Sequence, residues 1–109
     1  MHLAYFDENK FTVSEPFFFI GGIIFPDKDA LVYEGLLTQI QHSVFGSATL
    51  TKQNEFHGKD IFHGKGNFRK MSMSDRVKIF CDISDFITTN RIPVRMVCID
   101  VSKHRSKYL

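Results

Sequence analysis

The sequence predicts an α/β fold in which helices pack on a mixed β-sheet. Residues 17–25 form a nearly continuous apolar run, which is typical of a central strand buried on both faces. Two later segments carry apolar residues at helical spacing, and residues 94–101 are rich in β-branched side chains. The predicted order of elements is therefore β-β-α-(β)-α-β, in a single domain that spans residues 1–109.

The first two strands are predicted at residues 2–6 and 17–25, and the polar residues between them favour an antiparallel hairpin. Asp7 follows the first apolar run, so a carboxylate lies at the tip of a strand. Such a carboxylate is costly to desolvate unless a metal, a cation or hydrogen bonds compensate it. An ordinary turn-capping aspartate is the alternative. Within the second strand, Gly21 and Gly22 predict a bulge or the close approach of another backbone.

The first helix is predicted to begin near Asp27 and to end at Gly46. Its apolar stripe follows one helical face and consists of Tyr33, Leu36, Leu37, Ile40 and Val44. The stretch that follows, up to residue 70, is polar and contains three glycines. It predicts a loop with one short extended segment at residues 55–57.

The second helix is predicted to begin at the capping pattern of residues 72–75 and to end near Asn90 in a left-handed turn. One of its faces carries Val77, Phe80, Cys81, Ser84 and Ile87, and further apolar residues broaden that face, so we expect this helix to be well buried. The last strand, at residues 94–101, contains Asp100 at its end. This residue is a second carboxylate at a strand tip.

Composition excludes several classes of protein. The chain is 43% hydrophobic and 24% charged, as in globular proteins, and no apolar run reaches the roughly 20 residues of a membrane span. No signal peptide precedes the first strand, so we expect a cytoplasmic protein without membrane association. Cys81 and Cys98 lie in apolar segments without metal or disulfide spacing, which predicts buried, reduced thiols.

A basic, glycine-rich stretch follows the extended segment and contains two similar tripeptides, at residues 57–59 and 63–65. It lacks the spaced ligands of a zinc site and the pattern of a phosphate-binding loop. Four basic residues make it a candidate for binding a nucleic-acid backbone, and a solvated flexible loop is the alternative. These four residues are Lys59, Lys65, Arg69 and Lys70.

Three elements together resemble the family of the domain of unknown function numbered 3800, which is usually placed among ribonuclease-H-like folds. They are Asp7-Glu8 after the first strand, Gly21-Gly22 in the second, and Glu55-Phe56-His57 after the first helix. Asn9-Lys10 stand where members of this family usually carry Ser-Gly. Because members are generally longer, the resemblance implies the N-terminal part of such a domain. We therefore expect a chain that is inactive alone and that forms homo-oligomers or associates with a C-terminal portion.

The resemblance implies a metal-dependent nuclease that hydrolyses phosphodiesters with magnesium, or alternatively manganese. Asp7, Glu55 and Asp100 are the predicted metal ligands, and Asp7, Glu55 and His57 are the predicted catalytic residues. If Asp7 and Asp100 share an ion, they must lie on adjacent parallel strands. The alternative function is a non-catalytic interaction or assembly module with the same fold.

Overall fold

A computed structural model describes residues 1–9, 14–47, 51 and 54–108, and it confirms a fold that combines strands and helices. The chain divides into two units. Unit 1 comprises Met1–Lys28 and Ile92–Leu109, and unit 2 comprises Asp29–Arg91. Unit 1 contains the β-sheet and one helix, and unit 2 contains three helices within its described residues.

Unit 1 is built on three strands: β1 (His2–Glu8), β2 (Phe17–Pro26) and β3 (Val94–Asp100). Their order in the sheet is β1-β2-β3, and β2 pairs antiparallel with both neighbours. The prediction that the first, second and last strands share one sheet, with the second in the centre, is confirmed. The prediction of a mixed sheet is wrong, because β2 separates the two strands that run in the same direction.

Gly22 lies directly opposite Phe6 in an unbroken register between β1 and β2, so no bulge forms there. A Cβ atom built on Gly22 would overlap the Phe6 ring and would lie 3.0 Å from the Tyr5 carbonyl oxygen. At Gly21, the nearest atom to such a Cβ is the Arg95 carbonyl oxygen at 4.0 Å. The predicted close approach therefore applies to Gly22, and it involves a ring as well as backbone.

The sheet is more exposed than the apolar run predicts. Of the residues in β2, only Gly22 and Phe25 are buried, while Phe17 and Phe19 are exposed. On β3, Met96 and Val97 point to opposite faces, and they are 68% and 58% exposed. The prediction that the central strand is buried on both faces is therefore not met in this structure.

Unit 2 contains α1 (Ala30–Phe45), α2 (Gly58–His63) and α3 (Met73–Thr89). Its core joins all three helices and the short 3-10 helix Gly66–Phe68. The buried members of this core are Ile61, Phe68 and Ile79, and the partly buried residues packed against them are Val44, Phe45, Phe56, Met71 and Ile83. Unit 2 thus has an apolar core of its own.

The predicted helix ends are largely confirmed. Gly46 closes α1 in the left-handed conformation, with a φ of 70°. At the start of α3, the Ser72 hydroxyl accepts a hydrogen bond from the Asp75 amide at 3.1 Å. At its end, the left-handed residue is Arg91, with a φ of 51°, rather than Asn90.

The stretch between the two long helices differs from its prediction. Residues 55–57 form no strand, and α2 and the 3-10 helix replace the predicted loop. Ile61 and Phe68 explain the difference, because their side chains are only 1% and 2% exposed and tie this stretch to the core. After β3, Val101–Tyr108 forms a fourth helix, α4, which the sequence analysis does not predict.

The buried face of α3 is not the face that the sequence analysis emphasised. Ile79 and Phe86 are buried, whereas Val77, Phe80 and Cys81 are exposed. Cys98 is exposed as well, so the prediction of buried thiols is wrong. None of the helices in the described part of the chain combines the length and apolar character that a membrane span requires.

The contact between Gly22 and Phe6 gives a stability test. We expect Gly22→Ala to lower the free energy of unfolding by about 1–3 kcal/mol, because the new methyl group displaces the Phe6 ring. Gly21→Ala is the matched control, and we expect it to change stability by less than about 1 kcal/mol, since the space beside Gly21 accepts a methyl group. Urea unfolding measures both. Equal effects of the two substitutions would contradict the assigned register.

Candidate functional site

Asp7 lies at the exposed end of β1, and its Oδ1 accepts a hydrogen bond from the Glu8 amide at 2.9 Å. Asn9, two residues after Asp7, holds this end of the strand in place. Its amide donates to the Phe19 carbonyl at 3.1 Å, and its side-chain oxygen accepts from the Phe19 amide at 2.6 Å. Asn9 therefore closes the end of the hairpin that carries Asp7. In the sequence, Asn9 stands out only as a departure from the family pattern.

Asp7 and Asp100 lie on the same face and at the same end of the sheet, but β2 separates their strands. The prediction of adjacent strands is wrong. Asp7 is level with Gly21 and Met96, and Asp100 lies four residues further along β3. Strands spaced by about 4.8 Å, with a rise of about 3.3 Å per residue, put the two Cα atoms roughly 16 Å apart. Two carboxylates so separated cannot bind one magnesium ion at about 2 Å each.

The Asp100 side chain has a local structural role. Its Oδ1 accepts a hydrogen bond from the Lys103 amide at 3.1 Å, at the beginning of α4. A carboxylate in this position satisfies a free backbone N–H and complements the positive end of the helix. For Asp100, the turn-capping interpretation of a strand-tip aspartate therefore describes the observed contact.

Glu55 and His57 are close together in unit 2, immediately before α2. The His57 Nε2 lies 3.4 Å from the Glu55 Oε2, and both side chains are about half exposed. A carboxylate in contact with an imidazole orients the ring. Within residues 1–9, 14–47, 51 and 54–108, no three His, Cys, Asp or Glu side chains are grouped so that they could hold a metal ion.

The four predicted phosphate-binding residues lie on α2, on the 3-10 helix or next to them, and all four are exposed. The backbone that carries them is anchored by Ile61 and Phe68 in the core. Gly64 ends α2 with a φ of 63°, and its amide donates to the Ile61 carbonyl. We call residues 58–70 the basic segment. It is a folded, anchored surface rather than the flexible loop that was the alternative prediction.

Arg76 of α3 holds the basic segment in place, and the sequence analysis missed it. Its Nη1 donates to the carbonyls of Ile61 and Phe62 at 2.9 and 2.8 Å, at the C-terminal end of α2. A cation there adds a donor to carbonyls of the last helical turn and complements the negative helix end. The Arg76 Nε is buried and has no hydrogen-bond partner among the described residues. No sequence signal links Arg76 to carbonyls about 15 positions earlier.

A cavity of about 430 Å³ lies between α1 and α3, away from Glu55 and His57. Lys78 lines this cavity and donates a hydrogen bond to the Asp82 Oδ2 at 2.7 Å. This hydrogen bond, together with the charge of the Asp82 carboxylate, raises the pKa of Lys78 above its usual value. Lys78 and Asp82 therefore form an ion pair at the wall of this cavity.

Comparison with known proteins gives no match to a protein-family model, to a curated protein or to a solved structure. The resemblance to the family of the domain of unknown function 3800 therefore stays a prediction.

The role of Arg76 is testable by stability. We expect Arg76→Met to lower the free energy of unfolding by about 1–3 kcal/mol, because the carbonyls at the end of α2 lose a charged donor. Arg69→Met is the control, since Arg69 is exposed, and we expect a change within about 0.5 kcal/mol. Urea unfolding, monitored by circular dichroism, measures the free energy of unfolding of both variants. An Arg76→Met variant as stable as the control would show that the hydrogen bonds of Arg76 to α2 do not stabilise the fold.

Proposed function

We propose that this chain is a metal-dependent phosphodiester-processing domain of the ribonuclease-H-like type. The observation that carries the proposal is the Glu55–His57 pair, which lies at the beginning of the basic segment. A paired imidazole and carboxylate can move a proton, and neighbouring cations can hold a phosphate group. The resemblance of Asp7-Glu8 and Glu55-Phe56-His57 to the family supports the same function.

Asp7 of unit 1 and Glu55 of unit 2 are each a proposed ligand for magnesium, or alternatively manganese. Both side chains are exposed carboxylates, and oxygen is the donor type that these hard cations take. In the described residues, Asp7 has no cationic partner of its own. When bound, such an ion polarises a phosphoryl oxygen and lowers the pKa of a bound water. Asp100 is not a proposed ligand of an ion bound by Asp7, because of the strand separation described above.

Proton transfer and the positioning of the metal ligand are the proposed roles of other side chains. Glu55 orients the His57 ring through the 3.4 Å contact, and His57 is therefore the group that accepts or donates a proton at the reacting water or leaving oxygen. Asn9 and Phe19 hold the strand end that presents Asp7.

Metal binding tests this proposal without requiring turnover. We expect Asp7→Asn and Glu55→Gln each to weaken magnesium or manganese binding by at least about tenfold, since even outer-shell partners of a metal contribute that much. Glu34→Gln is the control, because Glu34 is an exposed carboxylate on α1. Isothermal titration calorimetry measures the affinities. If the chain binds neither cation, or if all three variants bind equally, the proposal fails.

A second candidate function is an assembly module, and the exposed edge of β3 favours it. In the described sheet, β3 pairs only with β2, so the N–H and C=O groups of its other edge have no strand partner. The edge strand exposes apolar side chains on both faces, namely Val94, Met96, Val97 and Ile99. Such a strand pairs readily with another strand. The occupant that we propose is the same strand of a second copy, because antiparallel pairing of two β3 strands extends the sheet and continues its apolar faces.

Self-association tests the second candidate. We expect sedimentation velocity to show a dimer of the unmodified chain, and we expect Val97→Lys to shift it to monomer, because a charge on an edge strand opposes strand pairing. Leu31→Lys is the control, since Leu31 is an exposed apolar residue on α1. A monomer at all concentrations, or a dimer that is insensitive to Val97→Lys, would argue against assembly through β3.

A further inference from the structure

The basic segment concentrates the positive charge of the chain. Residues 58–70 contain four lysine or arginine residues and one acidic residue, Asp60, which give a net charge of +3, whereas the whole chain carries +2. The remaining residues therefore sum to −1. This imbalance is the electrostatic pattern of an anion-binding surface, because the field near a surface depends on local clustering rather than on total charge.

The cations of the basic segment are carried by an ordered backbone. Ile61 and Phe68 are buried beneath it, and the Arg76 guanidinium binds the carbonyls at the end of α2. The guanidinium also lies against Gly64, where an added Cβ would be 3.1 Å from its carbon atom. An anchored surface loses little backbone freedom when it binds a ligand, so more of the contact energy contributes to affinity.

The same segment carries an exposed aromatic ring. Phe62 is 71% exposed, although its sequence neighbour Ile61 is buried. Its ring contacts the His63 ring edge to face, with centroids 5.1 Å apart. Lys59 and Lys65 lie three residues to either side of it in the sequence and are exposed. Cations that track a phosphate backbone, together with an exposed ring on which a base stacks, are the features by which proteins bind single strands.

We infer that the basic segment binds single-stranded nucleic acid. Lys59, Lys65, Arg69 and Lys70 contact its phosphates, and Phe62 stacks on an unpaired base. Arg76 is a positioning residue, because it holds the backbone that carries these side chains. The inference rests on the proposed function, since it names the substrate of the same domain, and it adds Phe62 to the residues that recognise the substrate.

Fluorescence anisotropy with a labelled oligonucleotide of about 12 nucleotides tests the inference, a length within the range that one such surface covers. The binding of oligothymidylate and oligouridylate is compared with that of a duplex. Every measurement uses the full 109-residue chain and contains a metal chelator. The chelator separates binding from hydrolysis. We expect single strands to bind more tightly than the duplex. If four phosphates are neutralised, the logarithm of the binding constant falls with the logarithm of salt concentration with a slope of about −3.

Two substitutions separate the two kinds of contact. We expect Phe62→Ala to weaken single-strand binding roughly 5- to 100-fold with an unchanged salt slope, because it removes stacking only. We expect Lys65→Gln to weaken binding and to reduce the slope by about 0.7. Lys28→Gln and Leu31→Ala are the controls, since they remove an exposed charge and an exposed apolar side chain elsewhere. Phe62→Ala keeps the backbone carbonyl that Arg76 binds, so the fold is retained.

Unchanged affinity in both the Phe62→Ala and Lys65→Gln variants would overturn the inference. So would binding to vesicles of phosphatidylserine and phosphatidylcholine, lost in Phe62→Ala, without binding to the oligonucleotides, because the ring would then insert into a membrane. The proposed function fails separately. Single-strand binding by a chain that binds neither magnesium nor manganese would support the inference and refute the metal-dependent function.

Discussion

The packing of Ile61 and Phe68 against Ile79 is the interaction on which the surface of unit 2 depends. These three side chains connect α2 and the 3-10 helix to α3. Without them, the polar, glycine-rich basic segment would bury too little apolar surface to fold. Burial of each large aliphatic or aromatic side chain contributes about 1.5–3 kcal/mol, which offsets part of the backbone ordering. The cations of the basic segment owe their fixed positions to this packing, because they lie on the same short elements as the buried residues.

Arg76 adds a polar connection to this apolar one. Helix α2 is only six residues long, and a helix of that length is not stable by itself. The guanidinium supplies a donor to two of its last carbonyls, and Gly64 provides the left-handed residue that ends the helix. The buried Nε without a partner is a cost that the two carbonyl bonds outweigh. The end of α2 is thus stabilised jointly by a left-handed glycine and by a charged side chain of α3.

The acidic residues of unit 1 illustrate how topology limits chemistry. Asp7 is the penultimate residue of β1 and Asp100 is the last residue of β3, and each accepts a hydrogen bond from a nearby backbone amide. They lie on the same face of the sheet, yet the central strand separates them by two inter-strand spacings. One ion cannot bridge that distance. A shared carboxylate site in a sheet therefore requires adjacent strands, and the order of strands decides this before any side chain is considered.

The sequence by itself determined the three strands, the two long helices and most of their ends. Periodicity and capping residues such as Ser72 and Gly46 act locally, so they are readable in one stretch of chain. It also marked the basic residues 59–70 and named Glu55 and His57 as candidate site residues, whereas the contact between these two comes from the structure. Only the tertiary structure decided the antiparallel pairing of the last strand with the second, the buried face of α3, the fold of the basic segment and the role of Arg76. These features depend on contacts between residues distant in sequence, and local propensity carries no information about which distant partner a side chain will meet.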